Sequence, residues 1–338
     1  MLEKNIETFI GCDAEYEEAT IVLFGAPFDS TTSYRPGARF GSSAIRHESF
    51  GLETYSPYQD KDLTDYRIFD SGDIELCFGS SEAALKDIEE RTRTILKDGK
   101  LPFMLGGEHL VTFGAFRAVM EKYPDVHVIQ FDAHCDLRND YLGAELSHAC
   151  VMRRCYEWME DHTEFPRIHQ FCIRSGDRQE FQFAAAHTDL HPFGFDGLEK
   201  LTEHLAAEEI PVYLTIDLDC LDAGIFPGTG TPEAGGTKMV LSVGNERNEL
   251  LEQVSIHILR TAAILSKETS ILVLSPDSRL LYLHLTDITL AVEINEALTG
   301  SRHFDDAVFN KQYIQQRLLV ILNKGIRQTS NGHTAHIY

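Results

Sequence analysis

Residues 131 to 141 read FDAHCDLRNDY and follow directly on the apolar run VHVIQ. Within nine positions the segment holds Asp132, His134, Asp136 and Asp140, at the point where a buried strand is expected to end. If that strand continues, its alternation places the first three of these side chains on one side. Because ligands collect at the carboxyl ends of parallel strands, the segment predicts a binding site.

Short β-branched or apolar runs recur along the chain, with amphipathic stretches between them. One such stretch begins at Ser80 and Ser81, which can cap a helix, and ends at Gly99, which can stop it. This alternation predicts an α/β fold with three layers, α-β-α, around a mostly parallel central sheet. The runs are TIVLFG (20–25), YRIFDSG (66–72), LPFMLGG (101–107), VHVIQFD (126–132), RIHQFCIR (167–174), VYLTIDLD (212–219) and SILVLSP (270–276).

Charge and composition exclude several classes of protein. The 338-residue chain has a formal net charge of −23, all of it within residues 1 to 236. Such acidity disfavours nucleic acid and membrane partners, because both are anionic. Seven scattered cysteines without a CxxC pair predict no disulfide framework. The sequence shows neither a signal-peptide pattern nor an apolar run of about 18 residues, so we expect a cytoplasmic protein.

Four carboxylates and two imidazoles follow three of the predicted strands: His109, Asp132, His134, Asp136, Asp217 and Asp219. Buried together without a cation, the carboxylates would repel one another and lose several kcal/mol of solvation each, in the order-of-magnitude sense. Two bound metal ions remove that cost. The oxygen-rich donor set without thiolate favours Mn²⁺ over a cysteine-bound structural Zn²⁺. Two such ions lower the pKa of water enough for hydrolysis near neutral pH.

Four segments carry more specific information: GAPFDSTTSYRPGARFGSSAIR (25–46), GGEH (106–109), DAHCD (132–136) and TIDLDCLDAGIFPGTGTPEAGG (215–236). In these segments the sequence resembles the ureohydrolase family of arginases and agmatinases, and the first segment is typical of agmatinases. The resemblance is strong over residues 18 to 236 and weak over 237 to 300. It implies a single arginase-like domain over residues 1 to 300, followed by a C-terminal extension at 301 to 338.

The resemblance also implies roles for individual residues. For one Mn²⁺ the ligands would be His109, Asp132, Asp136 and Asp217. For the other they would be Asp132, His134, Asp217 and Asp219, so that Asp132 and Asp217 bridge the two ions. Asp136 would orient the attacking hydroxide, and His148 would shuttle protons or help the amine leave. Family resemblance further implies a homo-oligomer, a trimer or a hexamer made of two trimers.

The implied reaction is hydrolysis of a guanidino C–N bond to urea and an amine. The segment DLRNDYLG (136–143) resembles agmatinases, and it lacks the Asn and Ser pattern with which arginases hold the α-carboxylate and amino group of arginine. We therefore expect a small cationic guanidine as substrate, with agmatine first, giving urea and putrescine as in polyamine biosynthesis. Guanidinobutyrate and arginine are the alternative substrates.

The C-terminal third departs from the family pattern. In SILVLSP (270–276), Ser270 stands in place of the family aspartate and Val273 in place of the glutamate that accepts the guanidinium. One hypothesis is a diverged, weak or inactive enzyme, and a second is a replacement acid such as Glu268 or Asp277. A third is a metal-binding relative without turnover. The intact set of six ligands favours retained catalysis.

Overall fold

The computed structural model describes residues 2–56, 61–77, 79–159, 167–224 and 226–236. Within these ranges no helix is both long and apolar enough to cross a lipid bilayer. The strands are β1 Ile21–Gly25, β2 Tyr55–Ser56, β3 Lys61–Asp62, β4 Ile68–Asp73, β5 Leu101–Leu105, β6 His127–Phe131, β7 Ile168–Ile173, β8 Asp189–Pro192 and β9 Val212–Ile216. The helices are α1 Gly41–Ser49, α2 Ser81–Lys97, α3 Val111–Lys122, α4 Val151–Met159, α5 Arg178–His187 and α6 Leu198–Ala207.

Several predictions fall on residues 237 to 338, which lie outside the described residues. The expected strand at 270 to 276, with Val273, is among them, and so are the candidate replacement acids Glu268 and Asp277. The proposed domain boundary at residue 300 also falls there. These assignments, like the homo-oligomer, stay predictions.

Apart from β2 and β3, the described strands are parallel, as the βα alternation predicts, but they form two sheets where one central sheet was expected. One sheet has the order β4-β1-β5 and the other the order β8-β7-β6-β9, while β2 and β3 form a short antiparallel pair. Strand β8 was not among the predicted runs. Its sequence DLHP contains no β-branched residue. Among the described strands, β8 pairs with β7 alone. Its pairing with β7, rather than its own propensity, therefore makes it a strand.

Apolar side chains cover both faces of the parallel strands. In β1, Val22 and Phe24 belong to a buried cluster shared with α2, α3 and α4, whereas Ile21 and Leu23 belong to a second cluster shared with α6. Because successive strand residues point to opposite faces, both faces need a helical layer. The predicted three-layer α-β-α arrangement is confirmed.

Helix α2 begins and ends where its sequence predicts. The Ser80 hydroxyl accepts a hydrogen bond from the Ala83 N–H at 3.2 Å and so caps the first turn. Gly99 follows the last helical residue, Lys97, and has a φ of 73°, a conformation that glycine adopts without steric cost. The helix is thus bounded by local chemistry at both ends.

A buried ion pair joins α1 to β4. The Arg46 Nε donates to Asp70 Oδ2 at 2.8 Å, and its Nη1 donates to Asp73. Asp70 is fully buried and also accepts hydrogen bonds from the backbone N–H groups of Phe9 and Gly72. Burial opposes the charge of Arg46, but its hydrogen bonds with the two carboxylates outweigh that effect and raise its pKa. Each charge therefore depends on its partner.

We predict that Arg46→Met lowers the free energy of unfolding by about 3–5 kcal/mol, because it leaves Asp70 buried and unpaired. The matched control is Arg67→Met, whose ion pair with Glu18 at 2.7 Å is 62% exposed on both sides. That substitution should cost about 1 kcal/mol or less. Denaturant unfolding of the two variants measures the difference, and equal losses would contradict the importance of burial.

Candidate metal centre

Three strand ends deliver predicted ligands to one place. Strand β5 leads into His109, β6 into Asp132 and β9 into Asp217. Strands β6 and β9 are parallel neighbours with Phe131 opposite Ile216, so the two aspartates follow paired residues. The Asp217 N–H donates to the Phe131 carbonyl at 2.8 Å, which holds the two strand ends together.

The alternation of side chains along an extended strand does not explain how the aspartates and the histidine after β6 come together. Strand β6 ends at Phe131, and Asp136 has a φ of 53°, in the left-handed region. The strand therefore does not continue through Asp136, and the alternation that depended on its continuing does not apply. The chain turns instead, because the His134 N–H donates to Asp132 Oδ1 at 2.7 Å and the Asp136 carbonyl accepts hydrogen bonds from the start of α4.

The turn before His109 requires glycine. A Cβ on Gly107 would lie 1.9 Å from the carbonyl oxygen of Phe28, far inside van der Waals contact. The Glu108 N–H donates to the same carbonyl at 2.7 Å. The glycine lets the loop after β1 approach the loop after β5 and so fixes where His109 stands.

One group of donor atoms surrounds His109. Its Nδ1 lies 2.8 Å from Asp136 Oδ2, 3.0 Å from Asp132 Oδ2 and 3.8 Å from Asp217 Oδ2. Its Nε2 lies 3.0 Å from the Thr215 hydroxyl, so each ring nitrogen has a defined neighbour. The imidazole thus presents Nδ1 to three carboxylates.

A second group surrounds His134 and shares Asp132 with the first. The Nδ1 of His134 lies 3.0 Å from Asp219 Oδ2 and 3.6 Å from Asp132 Oδ1. Asp132 therefore directs one oxygen toward each imidazole. The donor atoms of His109, Asp132 and Asp217, and those of Asp132, His134 and Asp219, lie within 4.8 Å of one another in each set. Bridging of two ions by Asp132 and by Asp217 stays a prediction.

The electrostatics of the cluster show why it needs compensating charge. Burial and the neighbouring carboxylates raise the pKa values of Asp136, Asp217 and Asp219. Burial opposes ionisation of Asp132 as well, but hydrogen bonds from both imidazoles outweigh it and lower its pKa. Contacts with the carboxylates raise the pKa values of both imidazoles against the effect of burial. The ionised cluster therefore needs positive charge between its carboxylates.

The donor set fits two divalent cations. Four carboxylates and two imidazole nitrogens supply oxygen-rich ligation with no thiolate, and the shared Asp132 joins two sites. Two cations would displace the protons and offset the repulsion between the carboxylates. Five of the six predicted ligands belong to these two groups, and the sixth, Asp136, lies with its Oδ2 2.8 Å from His109 Nδ1. Their roles as metal ligands stay predictions.

Sequence reasoning missed the side chains that orient Asp132. Gln130 Nε2 donates to Asp132 Oδ2 at 2.7 Å, and Gln170 Nε2 donates to Gln130 Oε1 at 2.6 Å. The Thr188 hydroxyl then donates to Gln170 Oε1 at 2.9 Å. Both glutamines are fully buried and face each other in the register of β6 and β7. Each of these apolar strands contains a single glutamine, and a buried amide must find hydrogen-bond partners. This was the signal in the sequence that could have predicted the contact.

His148 lies beside the cluster, and its contacts define the orientation of its ring. Its backbone N–H donates to the Thr31 hydroxyl oxygen at 3.0 Å, and its Nδ1 lies 3.4 Å from that same oxygen. The Thr31 hydroxyl and backbone N–H both donate to the buried carboxylate of Glu108. Burial lowers the pKa of His148, which favours a neutral imidazole. Neither Thr31 nor Glu108 was predicted to contact His148.

A cavity of about 1530 Å³ borders the ligand cluster. Asp136, His134, Asp217 and His148 all line it, together with residues of β5 and β9. The cavity therefore gives a small molecule access to the predicted metal ligands and to the predicted proton shuttle at the same time.

The motifs at these strand ends are those of a known family, since the Arginase family profile matches residues 19 to 244. The chain belongs to the arginase family. It is 48% identical over 231 residues to the agmatinase of Bacillus subtilis strain 168, covering 68% of this chain and 78% of that relative. It is 39% identical over 230 residues to the N(1)-aminopropylagmatine ureohydrolase of Thermococcus kodakarensis, covering 66% and 75%.

The fold agrees with that membership. The crystal structure of agmatine ureohydrolase of Thermoplasma volcanium matches with a TM-score of 0.67 at 30% identity, covering 86% of this chain and 96% of that chain. The predicted family, the arginase-like fold and the assignment as an agmatinase-like ureohydrolase are confirmed.

The metal-free protein should become less stable as pH rises from about 6 to 8. The folded cluster retains protons on the aspartates and imidazoles whose pKa values are raised. The unfolded chain has released most of these protons in this pH range. Stability present at low pH is therefore lost as pH rises through the folded-state pKa values. Added Mn²⁺ should raise the melting temperature more at pH 8 than at pH 6, because it replaces those protons.

Melting curves with chelator and with Mn²⁺ at both pH values check this prediction. Asp217→Asn should shrink the pH dependence and the Mn²⁺ shift, whereas Asp140→Asn, at an exposed position after β6, should preserve both. Equal Mn²⁺ shifts in the two variants would contradict the assignment of Asp217 to the cluster.

Proposed function

We propose that this protein is a dimanganese hydrolase that cleaves the guanidino C–N bond of agmatine to give urea and putrescine. The observation that carries the proposal is the pair of ligand groups joined through Asp132, in a chain of the arginase family. The same six residues that the sequence singled out would hold the ions: His109, Asp132, His134, Asp136, Asp217 and Asp219. Mn²⁺ suits them because the donors are mainly carboxylate oxygens with two imidazoles.

The cations, when bound, would lower the pKa of water and so provide a nucleophile near neutral pH. Asp136 would accept a hydrogen bond from the attacking water and direct it toward the guanidino carbon, since it lines the cavity beside His109. A C–O bond forms at that carbon and a C–N bond breaks. The departing amine must then receive a proton.

His148 would carry that proton. Because the Thr31 hydroxyl donates to Glu108, its oxygen can only accept from His148, which favours a hydrogen on Nδ1. The lone pair of His148 is then on Nε2, near the Ser33 hydroxyl at 3.4 Å. A neutral imidazole with its lone pair on Nε2 can take a proton and release it to the leaving amine. Thr31 and Glu108 would thus select the useful tautomer.

The charges around the cavity favour a substrate with an amine at its far end. Arg138 lines the cavity, but its guanidinium is paired with Asp177 at 2.7 Å and Glu180 at 3.3 Å. Arg35, the other arginine of the lining within the described residues, donates to the Pro227 carbonyl at 3.1 Å. The carboxylate of a guanidino acid would compete with these partners, whereas the ammonium of agmatine is attracted by the acidic lining.

Parallel assays of urea release test the proposal. With Mn²⁺ loaded, kcat/KM for agmatine should exceed that for arginine and for guanidinobutyrate at least tenfold, which corresponds to about 1.4 kcal/mol of discrimination. Asp132→Asn should abolish turnover, and the exposed control Asp140→Asn should retain it.

The other outcomes of the urea-release assays would point to other functions. A larger kcat/KM for guanidinobutyrate or arginine would replace agmatine as the substrate. Two bound Mn²⁺ ions without urea release from any of the three would show a metal-binding relative without turnover, the hypothesis raised by Val273.

A further inference from the structure

Glu233 is held at both its backbone and its side chain. Its carbonyl accepts hydrogen bonds from Arg174 Nη2 at 2.9 Å and from the Ala223 N–H at 3.3 Å. Its carboxylate accepts a hydrogen bond from the Ser175 hydroxyl at 2.9 Å. The same oxygen, Oε1, lies 3.5 Å from Nε2 of His134. The loop therefore delivers one fixed carboxylate to the back of one imidazole.

His134 presents its two ring nitrogens to different carboxylates. Nδ1 faces Asp219 and Asp132, which belong to the candidate ligand set. Nε2 faces Glu233, which does not line the cavity that His134 itself lines. Glu233 thus faces the ring nitrogen opposite the one that faces Asp219 and Asp132.

We propose that Glu233 is a positioning residue for metal binding, whose carboxylate, 3.5 Å from Nε2 of His134, favours a hydrogen on that nitrogen and so leaves the Nδ1 lone pair for the cation. A carboxylate on the second nitrogen of a ligating histidine fixes the tautomer and the ring orientation and makes the ligating nitrogen more basic. This inference rests on the proposed dimanganese function. It adds a residue that the six-ligand assignment does not contain.

The Glu233 carboxylate contributes little to the stability of the fold. Its side chain is 39% exposed, so solvent screens its contact with His134 and the contact adds little to folding. The hydrogen bonds that fix the loop use its carbonyl, which Glu233→Gln keeps. The glutamine oxygen can also still accept from Ser175. The substitution therefore removes the charge behind His134 and leaves the surrounding contacts in place.

The test is a titration of the chelator-stripped, full-length protein with Mn²⁺, followed by calorimetry and by the electron paramagnetic resonance signal of a coupled ion pair. The unmodified protein should bind two ions. In Glu233→Gln one ion should bind normally and the other about 10- to 100-fold more weakly. The melting temperature of the metal-free protein should stay unchanged. Ser175→Ala, which frees the carboxylate, should weaken the same ion by a smaller factor.

The control is Glu203→Gln, which makes the same charge change at an exposed position of α6. It should leave both Mn²⁺ affinities unaltered. Wild-type affinities in Glu233→Gln, or an equal loss in Glu203→Gln, would overturn the role of Glu233. An unmodified protein that binds no pair of ions would instead overturn the proposed function, and the two failures are thereby distinguishable.

Discussion

Repulsion among four carboxylates is the constraint on which the rest of this site depends. Asp132 is fully buried, and it must share its space with three other aspartates. Such a cluster survives only with protons or cations between the carboxylates, and protons leave as pH rises. Two metal ions are the compensation that also supplies chemistry. The arrangement is costly to build, which is why so much of the surrounding structure supports it.

That support comes from rigid elements. Parallel strands covered on both faces bring Asp132 and Asp217 side by side. The buried side-chain amide of Gln130 donates a hydrogen bond to Asp132 and is itself held by Gln170. His109 is placed by a glycine turn that packs against backbone. The same scheme recurs at the two histidines, since His109 has Thr215 and His134 has Glu233 at the nitrogen away from the cluster. Preorganised ligands lose little freedom when cations bind.

The sequence predicted the ligands better than their supports, for a physical reason. Each predicted ligand lies within about five residues after a strand end, so local patterns locate it. The contact between Thr31 and His148 joins segments 117 residues apart, and that between Ser175 and Glu233 joins segments 58 residues apart. Such pairings depend on tertiary packing, which no local pattern encodes. The turn at Asp136 was missed in the same way, since helix α4 fixes its carbonyl.

The most direct test of the two-cation account is an anomalous difference map from crystals grown with Mn²⁺. The account predicts two peaks about 3.5–4 Å apart. One peak should lie within bonding distance of His109 and Asp136, the other within bonding distance of His134 and Asp219, with Asp132 between them. A single peak, or two peaks away from Asp132, would contradict it.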